Sequence, residues 1–290
     1  MTRLDQALVA RGLARSRSQA AQLIAAGRVR RAGVVQAKAA AKVADADELT
    51  VDDGEAPDYV SRAGVKLDGA LRAFDAIDVG GKRCLDAGAS TGGFTEVLLR
   101  AGASHVAAVD VGHGQLVDQL RRDRRVGVVE GQNVRHLEAK DIGGPVDLTV
   151  ADLSFISLTL VLLPLAQATK PGGDMVLLIK PQFEVGKGKL NSSGVVATDE
   201  ERRRAVGLVV RHALGHGLDV AGVIRSQLPG QDGNVEFFVW ITVPTGPMVP
   251  RIEEELDRMT WQVLDSSPAF TDARQVTGTP DGALDTTELQ

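Results

Sequence analysis

The segment Cys84-Leu85-Asp86-Ala87-Gly88-Ala89-Ser90-Thr91-Gly92-Gly93-Phe94-Thr95 has the composition of a ligand cradle. An apolar strand ends near Asp86, small residues turn the chain, and a helix starts near Gly93. Glycine lets the backbone approach a ligand closely, and a helix N-terminus offers unpaired N–H groups to an anion such as a carboxylate. Asp86, Gly88, Ser90, Thr91, Gly92, Gly93 and Phe94 are therefore expected at a ligand, and a side chain at Gly92 is expected to intrude on it. The glycine spacing is G-x-x-x-G-G, whereas a dinucleotide turn needs G-x-G-x-x-G, which argues against NAD. Asp110 ends the next expected strand, where a carboxylate can accept both hydroxyls of a ribose.

A second kind of chemistry is concentrated at the front of the chain. Residues 1–44 hold nine Lys/Arg against one acid, Asp5, on a 290-residue chain whose net charge is −5. Such a block is the usual footprint of a polyanion-binding module, although a solvated helix face carries similar charge. Aromatic residues make up only 3%, so stacking on bases is not expected to be the main mode of recognition. Other patterns carry less. His212 and His216 share a helix face, but no Glu follows the first and no third ligand is evident, so no metal is expected. Cys84 is the one cysteine; it rules out an internal disulfide and suits a reducing compartment. The most apolar run, 155–169, is too short to span a bilayer and contains Pro164. A cytoplasmic monomer without a membrane partner is the expectation.

The elements that must position these residues follow from periodicity. Apolar positions at helical spacing predict helices over 4–9 and 18–25, with Gly12 and Gly27 at their ends. Extended pieces are expected at 28–31, 34–36 and 48–51. From Gly80 onward strands alternate with helices. Strands are expected at 83–87, 105–110, 126–130, 146–151, 175–180, 218–226 and 235–243, and helices at 93–101, 115–123, 158–169 and 199–217. This alternation argues for a mostly parallel sheet covered on both faces. The last two strands have no room for a helix between them and must be antiparallel neighbours, an arrangement that suits a methyltransferase sheet. The expected divisions are a front domain at 1–56, a linker at 57–65, a catalytic domain at 66–245 and an acidic tail at 246–290. The tail is expected to be partly disordered, with a helix possible over 251–264.

Two resemblances add to this. The pattern Arg3-Leu4-Asp5-x-x-Leu8, Gly12-Leu13-Ala14-x-Ser16-Arg17-x-x-Ala20-x-x-Leu23-Ile24-x-x-Gly27-x-Val29 and Gly33 resembles the S-four type of RNA-binding domain. That resemblance implies phosphate contacts by Arg3, Arg15, Arg17, Arg28 and Arg30, which would read RNA shape more than sequence. Further along, Lys66 in Ser-Arg-Ala-Gly-Val-Lys-Leu, Asp152 in Ala-Asp-Leu-Ser-Phe, Lys180 in Leu-Ile-Lys-Pro-Gln-Phe-Glu and Glu236 in Gly-Asn-Val-Glu-Phe-Phe resemble the K-D-K-E tetrad of FtsJ-type 2′-O-methyltransferases.

Taken together, the chain resembles the TlyA family over roughly residues 3–243. The resemblance implies a Rossmann-like class I methyltransferase fold with its last strand antiparallel, and S-adenosylmethionine as cofactor. It also implies methylation of a cytidine 2′-hydroxyl in 16S and/or 23S ribosomal RNA. In that scheme Lys180 is the candidate base, Asp152 holds it, and Lys66 and Glu236 orient the hydroxyl. Three alternatives remain open at this stage: a small-molecule methyltransferase, a membrane-active protein as the haemolysin label of some family members suggests, and an RNA chaperone that only binds.

Overall fold

A computed structural model of the chain describes residues 2–14, 17–25, 27–51, 59–230 and 232–271. The front of the chain runs β1 (Thr2–Arg3), α1 (Leu4–Ala10), α2 (Arg17–Ala25), β2 (Val29–Arg31), β3 (Val34–Val35), β4 (Lys42–Val43) and β5 (Leu49–Val51). Leu4, Leu8, Ile24 and Val29 are buried and form a small core of their own. Gly12 and Gly27 follow the two helices with φ of +70°, the left-handed conformation that ends a helix without Cβ strain. β2 pairs antiparallel with both β3 and β5.

The larger part comprises α3 (Arg62–Ala73), β6 (Arg83–Ala87), α4 (Gly93–Arg100), β7 (His105–Asp110), α5 (Asp118–Arg121), β8 (Val126–Glu130), β9 (Val146–Ala151), α6 (Leu162–Ala168), β10 (Thr169–Ile179), α7 (Pro181–Glu184), α8 (Asp199–Gly215), β11 (Asp219–Arg225), β12 (Phe237–Thr242), α9 (Glu253–Ser266) and α10 (Pro268–Thr271). Seven strands form one sheet in the order β11-β12-β10-β9-β6-β7-β8. β12 is antiparallel to both its neighbours, and the β10-β9-β6-β7-β8 pairs are parallel. The strand alternation sorts side chains onto two cores. Cys84, Val106, Ala108, Leu148, Val150, Val176, Leu178 and Phe238 face α3 and α4, while Leu85, Ala87, Ala107, Val109, Leu177, Ile179 and Val239 face α6 and α8.

The chain builds outward from β6 to β7 and β8, then returns through β9 to the other side of β6. At that reversal, between β6 and β9, the helices that follow, α4 and α6, lie on opposite faces of the sheet, and the carboxyl edge there is the usual ligand position in such sheets.

Several boundaries differ from expectation for physical reasons. α5 spans Asp118–Arg121 and not 115–123, because Val117 is extended and Leu116 is buried under the glycine loop. The strand expected at 175–180 begins at Thr169, which pairs with Val146 before a register shift across 170–173. The last strand starts at Phe237, leaving Glu236 in the segment just before it. α3 takes in Arg62 to Val65 of the expected linker. α9 lies in the acidic segment and packs on α8, with Arg211 paired to Glu253 and Asp257 and Arg203 paired to Asp265. Arg15, and the expected tail beyond Thr271, fall outside the described residues.

Candidate active site

The glycine loop leaves β6 and is tied to the next strand by Gly88 N–H and Ala89 N–H, both donating to Val109 O at 2.8 and 3.1 Å. Gly88 has φ of +86°, and a Cβ there would lie 2.7 Å from the backbone carbonyl oxygen of Asp152. Glycine at this position is what lets the loop after β6 and the loop after β9 meet. Gly92 behaves differently from expectation. Its φ is +101°, and a Cβ would run into Leu116 and Leu120 in the core beneath the loop. Gly92 therefore shapes the turn by packing downward, while its neighbours Gly88–Thr91, Gly93 and Phe94 wall the adjoining cleft. Gly93 opens α4, with no space for a Cβ beside Ser61 Oγ, so the start of α3 abuts the start of α4.

A cleft of about 230 Å³ lies here, walled by Ser61–Ala63, Gly88–Thr91, Gly93, Phe94, Asp152, Ser154 and Lys180. Beyond Ser90 a smaller recess continues between Ala108, Asp110, Gln115, Leu116, Val128 and Glu130. Asp110 ends β7 and accepts hydrogen bonds from Ser90 N–H at 2.8 Å and Gly112 N–H at 2.7 Å. A carboxylate has about four acceptor positions, so these two bonds orient it without exhausting it. Asp86 is fully buried at the base of the loop. Its Oδ2 accepts from Thr95 Oγ1 at 2.6 Å, whereas its Oδ1 is buried without a hydrogen-bond partner. Burial first, then the Asp152 and Asp110 charges, push this carboxyl up to about 7.

The tetrad residues come together as two ion pairs at one edge of the sheet. Asp152 directly follows β9 and Lys180 directly follows β10. Because β12 runs antiparallel, the residue before its start, Glu236, reaches that same edge. Lys180 is held extended by Pro181 at the first position of α7, since the residue before a proline avoids the helical region. Its Nζ donates to Ser154 Oγ at 2.8 Å and lies 2.6 Å from Asp152 Oδ1, a charge contact outside hydrogen-bonding angle. Lys66, on α3, pairs with Glu236. This pair is 5% and 2% exposed and does not line the cleft.

Some residues at this edge escaped the sequence reading. Phe155 is 92% exposed with φ of +64°, a conformation rare for a bulky residue, and its ring lies 5.3 Å from that of Phe183. Glu184 joins the two loops that carry Asp152 and Lys180: it accepts from Leu158 N–H at 2.9 Å and from Ser157 Oγ. Burial pushes the Glu184 carboxyl up. The motifs Asp-Leu-Ser-Phe and Lys-Pro-Gln-Phe-Glu contain Phe155, Phe183 and Glu184, but only the structure shows that the two segments clasp one another. Ser154 was likewise within reach, two residues after Asp152.

In the front domain, Arg3 and Arg17 converge on Asp5. Arg30 stands on β2 and donates to Gly33 O at 3.2 Å, and Arg28 directly precedes that strand. Among the described residues no group of three His, Cys, Asp or Glu could hold a metal ion, and His212 Nδ1 is turned to Leu208 O at 2.9 Å. No helix among them is long and apolar enough to cross a membrane.

Comparison with known proteins fits this geometry. Residues 59–243 match the FtsJ-like methyltransferase family, and residues 2–49 match the S4 domain. A 16S/23S rRNA (cytidine-2'-O)-methyltransferase TlyA from Mycobacterium tuberculosis is 55% identical over 243 residues, which cover 84% of this chain and 90% of that relative. A 23S rRNA (cytidine-2'-O)-methyltransferase TlyA from Campylobacter jejuni is 34% identical over 183 residues, 63% of this chain and 70% of its own. Among solved structures, a protein described as a hemolysin from Streptococcus thermophilus is 37% identical, with a TM-score of 0.66, covering 90% of this chain and 95% of its own. On the extent of these matches, the chain belongs to the FtsJ-like methyltransferase family, within its TlyA group, and carries an S4 domain at its front.

Proposed function

We propose that the protein transfers a methyl group from S-adenosylmethionine to the 2′-hydroxyl of a cytidine in 16S or 23S ribosomal RNA. The observation that carries this reading is the Lys180–Asp152 pair, with Ser154, set in the wall of the glycine-loop cleft. The residues present suit the cofactor. The Gly88–Thr91 backbone that walls the cleft, the unpartnered buried Oδ1 of Asp86 and the oriented carboxylate of Asp110 offer backbone contact, an acceptor for an ammonium group and acceptors for ribose hydroxyls. Ser90, Thr91, Gly93 and Phe94 complete that wall, and Gly92 keeps the loop in shape.

When bound, S-adenosylmethionine supplies an electrophilic methyl group on a sulfonium centre. The chain's part is to bring the ribose oxygen to it in line and to manage one proton. A hydroxyl is a poor nucleophile until its proton leaves as attack proceeds. Lys180 Nζ, once it has given up one of its own protons to solvent and stands as the neutral amine, takes that proton and becomes the ammonium, and Asp152 and Ser154 fix its direction. Lys66 and Glu236 anchor α3 to the start of β12 and orient the hydroxyl. Because the two are closed on each other in this structure, contact with the ribose requires one of them to turn from its partner.

Recognition falls to the front domain, 1–56, through Arg3, Arg15, Arg17, Arg28 and Arg30, while catalysis falls to 66–245. A ribosomal substrate places this work in the cytoplasm. The test is to map 2′-O-methyl groups in ribosomal RNA incubated with cofactor and the full chain. One or a few cytidines should acquire the modification, and modification only at base atoms would overturn the reading.

A further inference from the structure

Asp5 is the one acid among residues 1–44, beside nine Lys/Arg. Asp5 lies in the first turn of α1 and is 4% exposed. Its Oδ1 accepts from Arg3 Nε and from Gln6 N–H, both at 3.0 Å. Its Oδ2 accepts from Arg3 Nη2 and Arg17 Nη2, both at 3.1 Å. The carboxylate is thus inside, while the side chains of Arg3 and Arg17 remain 38% and 61% exposed. The hydrogen bonds from Arg3 hold the Asp5 carboxyl down at about 2, so it is anionic throughout the physiological range.

Two guanidinium groups sharing one oxygen cannot be more than 6.2 Å apart at those nitrogens. Two like charges on separate long side chains would otherwise diverge, since each loses rotamer freedom and gains repulsion by staying close. The carboxylate removes both obstacles before any ligand arrives. Each guanidinium has five donors in a planar fork, of which Asp5 engages two on Arg3 and one on Arg17. Phosphate is the anion whose several oxygens match two such forks.

We propose that Asp5 is a positioning residue for RNA binding: it holds Arg3 and Arg17 together as a preformed double fork for one backbone phosphate. This rests on the reading of the front domain as the RNA-binding part. It makes a prediction opposite in sign to net charge. Asp5→Asn adds one positive charge to the domain, so bulk electrostatics alone would tighten binding to RNA. The preformed fork requires that binding weaken, because Asn keeps an acceptor for Gln6 N–H but turns a donor toward both arginines at the position Oδ2 held.

The experiment measures affinity of the full chain for purified ribosomal RNA over a salt series. Asp5→Asn should weaken binding on the order of tenfold, the effect of losing a charge-assisted phosphate contact. Its log–log salt slope should become shallower by roughly 0.7–0.9. Melting temperature and S-adenosylmethionine affinity serve as folding controls. The variant Arg3→Ala/Arg17→Ala should bind weakly, and adding Asp5→Asn to it should cause no further loss. A mere structural role for Asp5 would weaken binding in both backgrounds and would overturn the proposal. Arg17→Lys keeps charge and carboxylate but breaks the fork; it should also bind several-fold more weakly, and unchanged affinity would count against the proposal even if Asp5→Asn fails to fold. Tighter binding by folded Asp5→Asn overturns the proposal alone. Undiminished binding by Arg3→Ala/Arg17→Ala overturns the proposal together with the role assigned to those arginines.

Discussion

Glu236→Ala should be costly to stability well before catalysis is considered. Lys66 and Glu236 are 5% and 2% exposed and pair with each other across 170 residues of chain. Removing one member of a buried ion pair leaves the other charged and desolvated, at a cost of about 3–5 kcal/mol. For a domain of 150–250 residues, 1 kcal/mol shifts the melting temperature by roughly 2–4 °C. Glu236→Ala should therefore melt about 6–20 °C below the parent. The variant Lys66→Met/Glu236→Leu removes both charges and keeps similar volume, so it should recover most of that loss. Both variants should be defective in methyl transfer. Scanning fluorimetry without cofactor, with an activity assay beside it, separates the two effects. A Glu236→Ala protein melting within about 2 °C of the parent would refute the claim that this pair is desolvated and mutually dependent.

Three further outcomes follow from the site. Gly92→Ala should lower stability, because a left-handed backbone with a Cβ costs about 1–2 kcal/mol and the methyl group enters the Leu116–Leu120 contact; an unchanged melting temperature would sink that account. Asp86 has a folded-state pKa of about 7, above its unfolded value, so its contribution to stability is present at low pH and lost as pH rises through 7. Asp86→Asn should accordingly gain stability relative to the parent between pH 5 and pH 8 in cofactor-free melts, and a constant difference across that range would contradict it. Lys180→Ala should abolish methyl transfer while calorimetry shows S-adenosylmethionine and RNA binding nearly intact, since the amine acts on the reacting hydroxyl; substantial residual turnover would remove Lys180 from the proton-transfer role.

The sheet was legible in the sequence because each central strand carries a short apolar run bounded by glycine, proline or charge. Asp152 and Lys180 were placed correctly at strand ends because their flanking patterns, Val-Ala-Asp-Leu and Leu-Ile-Lys-Pro, mark where burial stops. What stayed hidden depends on distance in sequence. Nothing around Lys66 announces Glu236 as its partner, since that contact is created by α3 crossing to the start of β12. Gly92 shows the same limit: its type signals a special backbone position, but whether the missing Cβ faces ligand or core depends on where Leu116 and Leu120 lie. The left-handed Phe155 had no local signal at all, because phenylalanine disfavours that conformation and only the surrounding loops impose it. Asp5 looked like an exception in a basic block until its arginine partners were located.

The atom that accepts the methyl group can be identified directly. Two ribosomal RNA substrates should be compared, identical except that one has a 2′-deoxycytidine at the mapped target. Both should bind with similar affinity, because most contacts go to backbone phosphate and shape. With labelled S-adenosylmethionine, only the substrate bearing the hydroxyl should gain a methyl group. Transfer of label to the deoxy substrate at a comparable rate would make the acceptor a base atom and would contradict the account of Lys180, Asp152, Lys66 and Glu236 as a 2′-O-methylation centre.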